Sequence, residues 1–333
     1  MVTDTRNRPL RDLRISVTDR CSFRCGYCMP REVYDDHEYL DRSSVLSYGE
    51  IRRITRLATD LGVRKVRLTG GEPLLRRHVH RLVEMISDLD EIDDLAMTTN
   101  ALLLERGAER LKSSGLDRIT VSLDALDDDL FRKMIDTDIP VKTVLDAIDA
   151  ADSAGLNPIK INTVVRRGWN EDQVIPLIER FRGTGHMVRF IEFMDVGTLN
   201  SWNLEEVVPS AQLVELLLKR WEMEPVDPSY TGEVASRYRF TDGEGEVGFI
   251  SSVSAPFCGD CTRLRLSAEG KLYTCLFGSV GTDLRGPLRS EATDDDIRAL
   301  IERTWTKRAD QYSELRGATP LDTPRVEMSY IGG

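Results

Sequence analysis

The chain has 333 residues, of which 41% are hydrophobic and 30% charged, and its formal net charge at pH 7 is −11. This composition is typical of a globular enzyme and excludes an intrinsically disordered chain. No uncharged apolar run approaches the roughly 18 residues of a membrane span, and the first residues lack the apolar core of a signal peptide. We therefore expect a cytoplasmic protein with no membrane partner, and its acidic charge argues against broad nucleic-acid binding.

Strand-like and helix-like segments alternate through the first 194 residues. Several predicted helices are followed by a glycine, as at Gly62, Gly115 and Gly155, which is typical of a left-handed helix C-cap. The alternation predicts βαβ units around a parallel sheet. Polar residues at the carboxyl end of nearly every strand favour a barrel over a doubly wound sheet. The predicted strands are 11–18, 65–69, 95–99, 118–123, 159–165 and 187–194, and the predicted helices are about 48–61, 76–88, 104–114, 142–154 and 171–182.

The alternation of strands and helices ends after about residue 200. Short strands are predicted at 247–253 and 263–267, the run GKLYTC is typical of a turn and a further strand, and a helix is predicted near 294–306. We therefore expect an α/β fold with two parts. A partial TIM-like barrel of six βα units occupies residues 1–240, and a β-rich C-terminal extension, residues 241–333, closes its open side.

The six cysteines fall into two groups of three at opposite ends of the chain. A disulfide framework is not expected in a cytoplasmic chain of this size. A closed zinc site needs four ligands, and none of the four histidines lies at a suitable spacing from either group. Zinc, iron–sulfur and unrelated buried thiols are the alternatives, and two iron–sulfur clusters with one open position each explain the grouping best. The first triad is Cys21, Cys25 and Cys28 (C-x3-C-x2-C), and the second triad is Cys258, Cys261 and Cys275 (C-x2-C-x13-C).

The first triad, with its Gly-Tyr before the last cysteine, closely resembles the motif of radical S-adenosylmethionine enzymes. The run Gly70-Gly71-Glu72-Pro73 matches the second motif of that superfamily. Further motifs are similar to those of one family in it, the GTP 3′,8-cyclases of molybdenum-cofactor biosynthesis. They cover almost the whole chain except about 200–245, and include RDLRISVTDRC, RLTGGEPLLR, TTNALLL, VSLDAL, RFIEFMDVG, SSVSAPFCGDCTRLRLSAEGKLYTCLFG and the terminal Gly332-Gly333.

The resemblance implies two 4Fe–4S clusters. The first triad would hold one cluster, whose open iron binds S-adenosylmethionine, and the second triad would hold another, whose open iron contacts the guanine of GTP. From the residues alone, a Gly-Gly step lets a ligand approach the backbone closely, and a glutamate can accept a hydrogen bond from an ammonium group. The positions that match the S-adenosylmethionine contacts of the family are Tyr27, Gly71, Glu72, Ser122 and Met194.

Basic residues are candidates for binding the triphosphate. Arg263 and Arg265 are spaced by two, so both side chains leave a strand on the same face and suit a multiply charged phosphate. A surface salt-bridge ladder is the alternative for this pair. By resemblance, the other GTP contacts are Arg14, Arg67, Thr98 and Lys160, which we expect near the carboxyl ends of their strands. For Arg14 and Arg67 the alternative is a buried ion pair with a barrel carboxylate, because an unpaired buried guanidinium is costly.

The resemblance implies a lyase-class enzyme that converts GTP to 3′,8-cyclo-7,8-dihydroguanosine triphosphate. A 5′-deoxyadenosyl radical would abstract the 3′ hydrogen of the ribose before carbon 3′ bonds to carbon 8 of guanine. The family also implies that the terminal Gly332 and Gly333 reach the active site and are needed for activity. The alternatives are a radical S-adenosylmethionine enzyme acting on a peptide or an RNA, and a non-enzymatic iron–sulfur or zinc scaffold.

Several partners follow from the same resemblance. We expect an electron donor of unknown identity, and a downstream pyranopterin synthase that receives the product. No nucleic-acid partner is expected, and the sequence leaves open whether the protein is a monomer or a homodimer.

Overall fold

Six parallel strands form the wall of a partial barrel, which confirms the predicted fold class. The computed structural model describes residues 1–230, 232–316 and 325–332. Each barrel strand pairs in parallel with the next one along the chain, as crossover connections through helices allow. The strands are β1 (Asp12–Ser16), β2 (Lys65–Thr69), β3 (Asp94–Thr99), β4 (Arg118–Ser122), β5 (Lys160–Val165) and β6 (Met187–Glu192).

The helices cover the outer side of these strands with one apolar face each. In the helix Tyr48–Asp60, Ile51 and Ile54 are buried, and Ser47 and Glu50 form a capping box that satisfies the first backbone N–H groups. The described helices are α1 (Arg31–Tyr34), α2 (Tyr48–Asp60), α3 (Val79–Ser87), α4 (Ala108–Ser113), α5 (Asp128–Ile135), α6 (Val141–Ser153), α7 (Val174–Phe181), α8 (Ser210–Leu218), α9 (Arg285–Leu288), α10 (Asp294–Thr306), α11 (Tyr312–Leu315) and α12 (Met328–Ile331).

Strands that follow residue 220 extend the barrel sheet at both edges. They are β7 (Met223–Val226), β8 (Ser236–Phe240), β9 (Glu246–Ile250), β10 (Arg263–Leu266), β11 (Lys271–Tyr273) and β12 (Thr282–Asp283). β9 pairs in parallel with β6, and β10 pairs in parallel with β1. The β8–β9 pair crosses the predicted boundary after residue 240, so one sheet runs through both parts. The division into two parts therefore stays a prediction.

The alternation within each barrel strand decides which side chains face the interior. In β1, Leu13 and Ile15 are fully buried in the main apolar core under the helices. Arg14 lies between them and therefore faces the interior of the barrel, and β2 repeats the arrangement around Arg67. In the described part of the chain, no helix is both long and apolar enough to cross a membrane.

Candidate active site

One cavity of about 290 Å³ lies inside the barrel and brings the two cysteine triads together. A pocket of this size is at the lower end of the range for small-molecule sites, roughly 300–1,000 Å³. The predicted site residues that line it are Arg14, Cys21, Cys25, Tyr27, Cys28, Arg67, Gly71, Glu72, Thr98, Ser122, Met194, Cys258, Cys261, Arg263, Arg265 and Cys275.

The loop that follows β1 carries the first triad and packs directly on the Gly70-Gly71 step. Gly70 has φ +151°, and a Cβ atom there would lie 2.6 Å from the carbonyl oxygen of Thr18. At Gly71 a Cβ atom would lie 2.3 Å from the carbonyl oxygen of Arg20, and the Gly71 N–H donates to Thr18 O at 2.8 Å. The close approach predicted for a ligand is therefore made by the cysteine loop itself, since only glycine leaves room for its backbone.

Glu72 places a buried carboxylate at this end of the cavity. The side chain is 1% exposed and accepts three hydrogen bonds, from Leu74 N at 2.9 Å, Thr99 Oγ1 at 2.8 Å and Asn100 N at 2.7 Å. A carboxylate has about four acceptor positions, so one remains for a cationic ligand. Burial raises the pKa of Glu72 to about 7 despite these donors.

One polar side chain contacts a thiol of the first triad, and another within the triad segment binds a buried carboxyl group. Asn100 Nδ2 lies 3.7 Å from Cys21 Sγ, within hydrogen-bond range for sulfur, and also donates to Ser22 Oγ at 3.0 Å. Tyr27 Oη donates to Asp124 Oδ2 at 2.6 Å, and burial raises the pKa of Asp124 to about 6. This wall of the cavity therefore combines thiols with two buried carboxyl groups.

Three arginines from adjacent strands lie side by side in the barrel. The register places Arg14 of β1 opposite Arg67 of β2 and Arg265 of β10. Burial, together with neighbouring guanidinium charges, lowers the pKa of Arg14 and Arg67 to about 9 each and that of Arg265 well below its usual range. Arg67 donates to Thr98 Oγ1 and Thr120 Oγ1, both at 3.0 Å. No carboxylate pairs with Arg14 or Arg67 in the described ranges, so the row presents uncompensated positive charge to a ligand.

The second triad lies on the same basic wall. Arg263 Nε and Nη2 each donate to Cys261 Sγ at 3.3 Å. Burial acts to raise the pKa of Cys261, but the charges of Arg263 and Arg308 outweigh it, and the pKa falls to about 6. Cys275 lacks such a contact, and burial raises its pKa to about 11. Within the described residues, neither Arg263 nor Arg265 belongs to a surface salt-bridge ladder, because both face the cavity.

The prediction that four GTP-contact residues lie near the carboxyl ends of their strands holds for Thr98 and is wrong for the other three. Lys160 is the first residue of β5, at the amino end of the barrel, and Arg14 and Arg67 lie at mid-strand. Side-chain alternation determines on which face of a strand a residue lies. It does not determine the position of that residue along the barrel axis, which depends on the register with the neighbouring strands. Lys160 lines a second, smaller cavity, and four arginines line both cavities: Arg14, Arg67, Arg189 and Arg263.

The ammonium group of Lys160 is surrounded by other cations. Burial and the nearby guanidinium groups of Arg189, Arg118 and Arg67 lower its pKa to about 7. All three of these cations have partners, since Arg118 is paired with Asp94, Arg189 Nε donates to Asn162 Oδ1 at 2.9 Å, and Arg67 donates to two threonine hydroxyl groups. The ammonium group of Lys160 has neither a hydrogen bond nor an ion pair within the described ranges. This end of the barrel therefore suits an anion with several negative charges.

The end of the chain lies inside the fold. Gly332 has φ +73°, its carbonyl oxygen accepts from Arg265 Nη1, and a Cβ atom at this position would lie 2.1 Å from Thr69 Cγ2. Only glycine therefore fits without displacing Thr69. The predicted partner in this tail, Gly333, lies outside the described residues.

The residues before Gly332 contact segments next to both triads. Ser329 Oγ lies 3.1 Å from Tyr34 Oη, on the short helix that follows the first triad. Tyr330 Oη donates to Glu269, in the turn between β10 and β11 that lies between Cys261 and Cys275 in the chain. The tail therefore connects the segments that carry the two triads.

Comparisons with known proteins place the chain in a family. Residues 15–181 match the model of the radical SAM superfamily, and residues 186–314 match the model of Molybdenum Cofactor Synthesis C. A GTP 3′,8-cyclase from Xanthomonas campestris pv. campestris is 52% identical over 330 residues, covering 99% of this chain and 97% of the relative. The GTP 3′,8-cyclase of Acidothermus cellulolyticus is 49% identical over 358 residues, covering 100% of this chain and 99% of the relative. The chain belongs to the GTP 3′,8-cyclase family.

A solved structure supports the fold of this cyclase family member. The crystal structure of Streptococcus suis SuiB bound to S-adenosylmethionine has a TM-score of 0.64 and 16% sequence identity, and covers 96% of this chain and 76% of SuiB. At that identity the likeness concerns the fold alone. Family membership sets aside the alternatives of a peptide- or RNA-modifying enzyme and a non-enzymatic scaffold, because the full-length relatives are cyclases.

The predicted cofactors of the cyclase, S-adenosylmethionine and 4Fe–4S clusters, are confirmed by this membership. The chain fits them: all six cysteines are free thiols, and each triad presents its three to the cavity. No three Cys, His, Asp or Glu side chains among the described residues lie close enough together to bind a single metal ion. Three thiols and no fourth protein ligand at each triad suit a cluster with an open iron.

Sequence reasoning missed several residues that the cyclase fold brings to the cavity. The strongest available signal was Arg189, a charge within the apolar run of β6 that becomes 8% exposed. Asn100 directly follows β3 and Asp124 comes two residues after the end of β4, which is where barrel enzymes place site residues. Arg8 and Arg308 also line the cavity, but they are 300 residues apart and no local pattern connects them.

Proposed function

We propose that the cavity holds GTP and S-adenosylmethionine together and that the protein converts GTP to 3′,8-cyclo-7,8-dihydroguanosine triphosphate. The observation that carries this proposal is that both cysteine triads and the row of buried arginines open into one cavity. A cationic cofactor group and a polyanionic substrate therefore have complementary walls on opposite sides of the same space.

The triphosphate of GTP fits the amino end of the barrel. Lys160, Arg67 and Arg189 converge there, and Arg14 and Arg263 connect that end with the second triad. A triphosphate would neutralise the buried cations that now repel one another, which is a reason for the site to bind the nucleotide and not the free base. Thr98, which accepts from Arg67, would orient the guanidinium toward the phosphates.

S-adenosylmethionine fits the opposite wall. Glu72 would accept from its ammonium group, beside the backbone of Gly71, and Tyr27, Ser122 and Met194 would enclose the rest of the cofactor. When bound at the first triad, a reduced 4Fe–4S cluster supplies the electron that releases the 5′-deoxyadenosyl radical from S-adenosylmethionine.

The chain's own residues position the ribose and keep water out. The nucleotide would lie between two fixed walls, with its guanine toward Cys258, Cys261 and Cys275 and its phosphates on the arginines. The tail at Gly332 accepts a hydrogen bond from Arg265, which lines the cavity, so it would limit solvent access to the reacting carbons. Fixing carbon 3′ near carbon 8 turns the bond formation into a positioned intramolecular step.

Anaerobic incubation with GTP, S-adenosylmethionine and dithionite tests the proposal. Removal of one hydrogen from carbon 3′, followed by gain of one electron and one proton, gives a product with the mass of GTP, so chromatography must separate the two. With GTP deuterated at carbon 3′, we expect the label in 5′-deoxyadenosine. Unlabelled 5′-deoxyadenosine with unchanged GTP would contradict the proposal, and Cys25→Ala is the inactive control.

The cellular setting follows from the thiols. Six free cysteines require a reducing compartment, and we infer the cytoplasm. The electron donor, the pyranopterin synthase as recipient of the product, and the choice between monomer and homodimer remain predictions.

A further inference from the structure

The first ten residues precede the barrel and fold onto the back of the second triad. Asp4 closes this segment into a turn, because its Oδ1 accepts from the backbone N–H groups of Arg6 and Arg8, both at 2.9 Å. Trp305 of α10 donates from Nε1 to the carbonyl oxygen of Arg8 at 3.1 Å. The turn is thereby held against the C-terminal part of the chain.

Two arginines connect this turn to the backbone of the second triad. Arg8 Nη1 donates to the carbonyl oxygen of Cys258 at 2.8 Å and to that of Asp310 at 2.7 Å. Arg308 Nη1 donates to the carbonyl oxygen of Cys261 at 2.6 Å. Both arginines also line the cavity, so they reach the triad from behind while facing the space that the thiols face.

Two carboxylates accompany the two arginines. The side chains of Arg8, Arg308 and Asp4 are at most 2% exposed, and Asp4 Oδ2 accepts from Arg8 Nε at 2.6 Å and lies 3.4 Å from Arg308 Nη1. Asp310 Oδ2 is a buried atom that pairs with Arg308 Nε at 3.6 Å without a hydrogen bond, although the Asp310 side chain as a whole is 35% exposed. Among the described residues the two guanidinium groups contact the backbone of the triad, and neither carboxylate group does.

Parts of both guanidinium groups also lack acceptors. Arg8 Nη2 and Arg308 Nε are buried and have no hydrogen-bond partner among the described residues. A buried N–H group without an acceptor is costly, so an anion on the cavity side would stabilise the pair. The group held by the neighbouring thiols is such an anion, since three thiolates outweigh the charge of a 4Fe–4S core, and its negative charge increases on reduction.

We propose that Asp4, Arg8 and Arg308 are positioning residues of the second triad that fix the Cys258–Cys261 backbone and raise the reduction potential of the cluster bound there. The inference rests on the proposed function only in that the second triad binds a cluster. Positive charge in contact with the triad favours the more negative, reduced state, and hydrogen bonds to the ligand backbone hold the thiols in place. The N-terminal segment is thus part of the second cluster's site, although it supplies no ligand.

The test uses the full-length chain with Cys21, Cys25 and Cys28 replaced by alanine, so that only the second triad can hold iron. After anaerobic reconstitution, iron and sulfide are counted and the midpoint potential is measured by a redox titration followed by electron paramagnetic resonance. We expect Arg8→Gln and Arg308→Gln to lower the potential and Asp4→Asn to raise it. Arg6→Gln is the matched control, because Arg6 lies in the same turn but is 36% exposed and pairs with Glu314.

The proposal expects the midpoint potential to shift in opposite directions in the arginine and aspartate variants. General damage to the fold would not reverse the direction of the shift according to the charge that was removed. Unchanged potentials in all three variants at full iron content would overturn it. Should the arginine variants lose their iron, Asp4→Asn decides alone, and the absence of a rise there overturns the proposal. A parent protein that binds no iron would instead refute the second cluster of the proposed function, and this inference with it.

Discussion

The two cysteine triads have the same number of ligands but differ in the charged groups that line the cavity beside them. The first triad lies among carboxyl groups: Glu72 and Asp124 are buried in the same wall, and both carry a raised pKa. The second triad lies among guanidinium groups, with Arg263 on the sulfur of Cys261 and Arg308 on its carbonyl oxygen. The same donor set is thus placed in an acidic wall and in a basic wall of one cavity.

One thiol shows this difference clearly. Burial, helped by the charge of Glu72, raises the pKa of Cys21 to about 11, whereas neighbouring guanidinium groups lower the pKa of Cys261 to about 6. Cys275, which lacks such a contact, follows Cys21, since burial raises its pKa to about 11. We infer that the surrounding charges, and not the number of ligands, give each triad a different role. An acidic wall suits a cationic cofactor, and a basic wall suits a polyanionic nucleotide.

The largest expected effect comes from removing one ligand on either side. We expect both Cys25→Ala and Cys261→Ala to abolish formation of the cyclic product. The two should differ in S-adenosylmethionine cleavage, which is lost in Cys25→Ala and continues in part, uncoupled from GTP, in Cys261→Ala. Measurement of 5′-deoxyadenosine and cyclic product in the same reaction distinguishes them. Near-native product formation by Cys261→Ala would remove the substrate role of the second triad.

The second prediction concerns the C-terminal tail that ends in Gly332 and Gly333. Deleting Gly332 and Gly333 removes the contact with Arg265 but leaves both triads in place. We expect product formation to fall by about 100-fold, the size of effect that a lost positioning contact can have, while iron content and GTP binding stay nearly native. Product is measured as a rate under saturating substrates.

A synthetic peptide with the terminal sequence should partly restore the activity of that truncated protein when added in trans. Full activity without the peptide would mean that the tail has no role in the reaction.

A smaller effect is expected on the basic wall. Arg263→Ala and Arg265→Ala should each weaken GTP binding by about 1.5–3 kcal/mol, roughly 10- to 150-fold, because each removes a charge-assisted hydrogen bond to phosphate. Equilibrium binding of GTP to the iron-loaded variants measures this. Arg239→Ala is the control, since Arg239 is 51% exposed and pairs with Glu246 at the surface. Unchanged affinity in the double variant would move the phosphate site elsewhere.

The smallest expected effect is that the binding affinities of the two ligands depend on pH in opposite directions. Glu72, with a pKa raised to about 7, is protonated in the free protein below that pH, so affinity for the cationic S-adenosylmethionine should fall as the pH drops below 7. Lys160, with a pKa lowered to about 7, is neutral above that pH, so affinity for GTP should fall as the pH rises above 7. Each change is at most about tenfold per pH unit, the limit for one proton.

Calorimetric binding between pH 6 and 8.5 measures both dependences. Glu72→Gln should flatten the first curve and Lys160→Met the second, each without affecting the other. Parallel curves for the two ligands would contradict the division into an acidic and a basic wall.

The barrel was predictable because its local signals agree. Alternating strands and glycine caps placed β2 without error and most other barrel elements within a few residues. The helix α5 was missed, although Asp127 caps it and Phe131, Met134 and Ile135 form its buried face. Its eight residues are too few for a clear periodic pattern, and three successive aspartates mask its start.

The candidate site was predictable only where a motif marks it. The cysteines and Glu72 stand in recognisable runs, and the structure places them on one cavity. The position of Lys160 along the barrel axis depends on strand register. The contact between Arg8 and Cys258 joins segments 250 residues apart. Such long-range placements depend on tertiary packing, which a single sequence does not encode in any local window.

The parallel pairing of β1 with β10 has a consequence for synthesis of the chain. Arg14 leaves the ribosome early, but its partner Arg265 is added about 250 residues later, roughly 10–50 s at ordinary elongation rates of 5–20 residues per second. Throughout this interval the edge of β1 that pairs with β10 has no strand beside it. All three cysteines of the first triad have been synthesised, while the residues around the second triad have not. The three ligands of the first site are therefore present for most of translation, whereas those of the second site are complete only after residue 275.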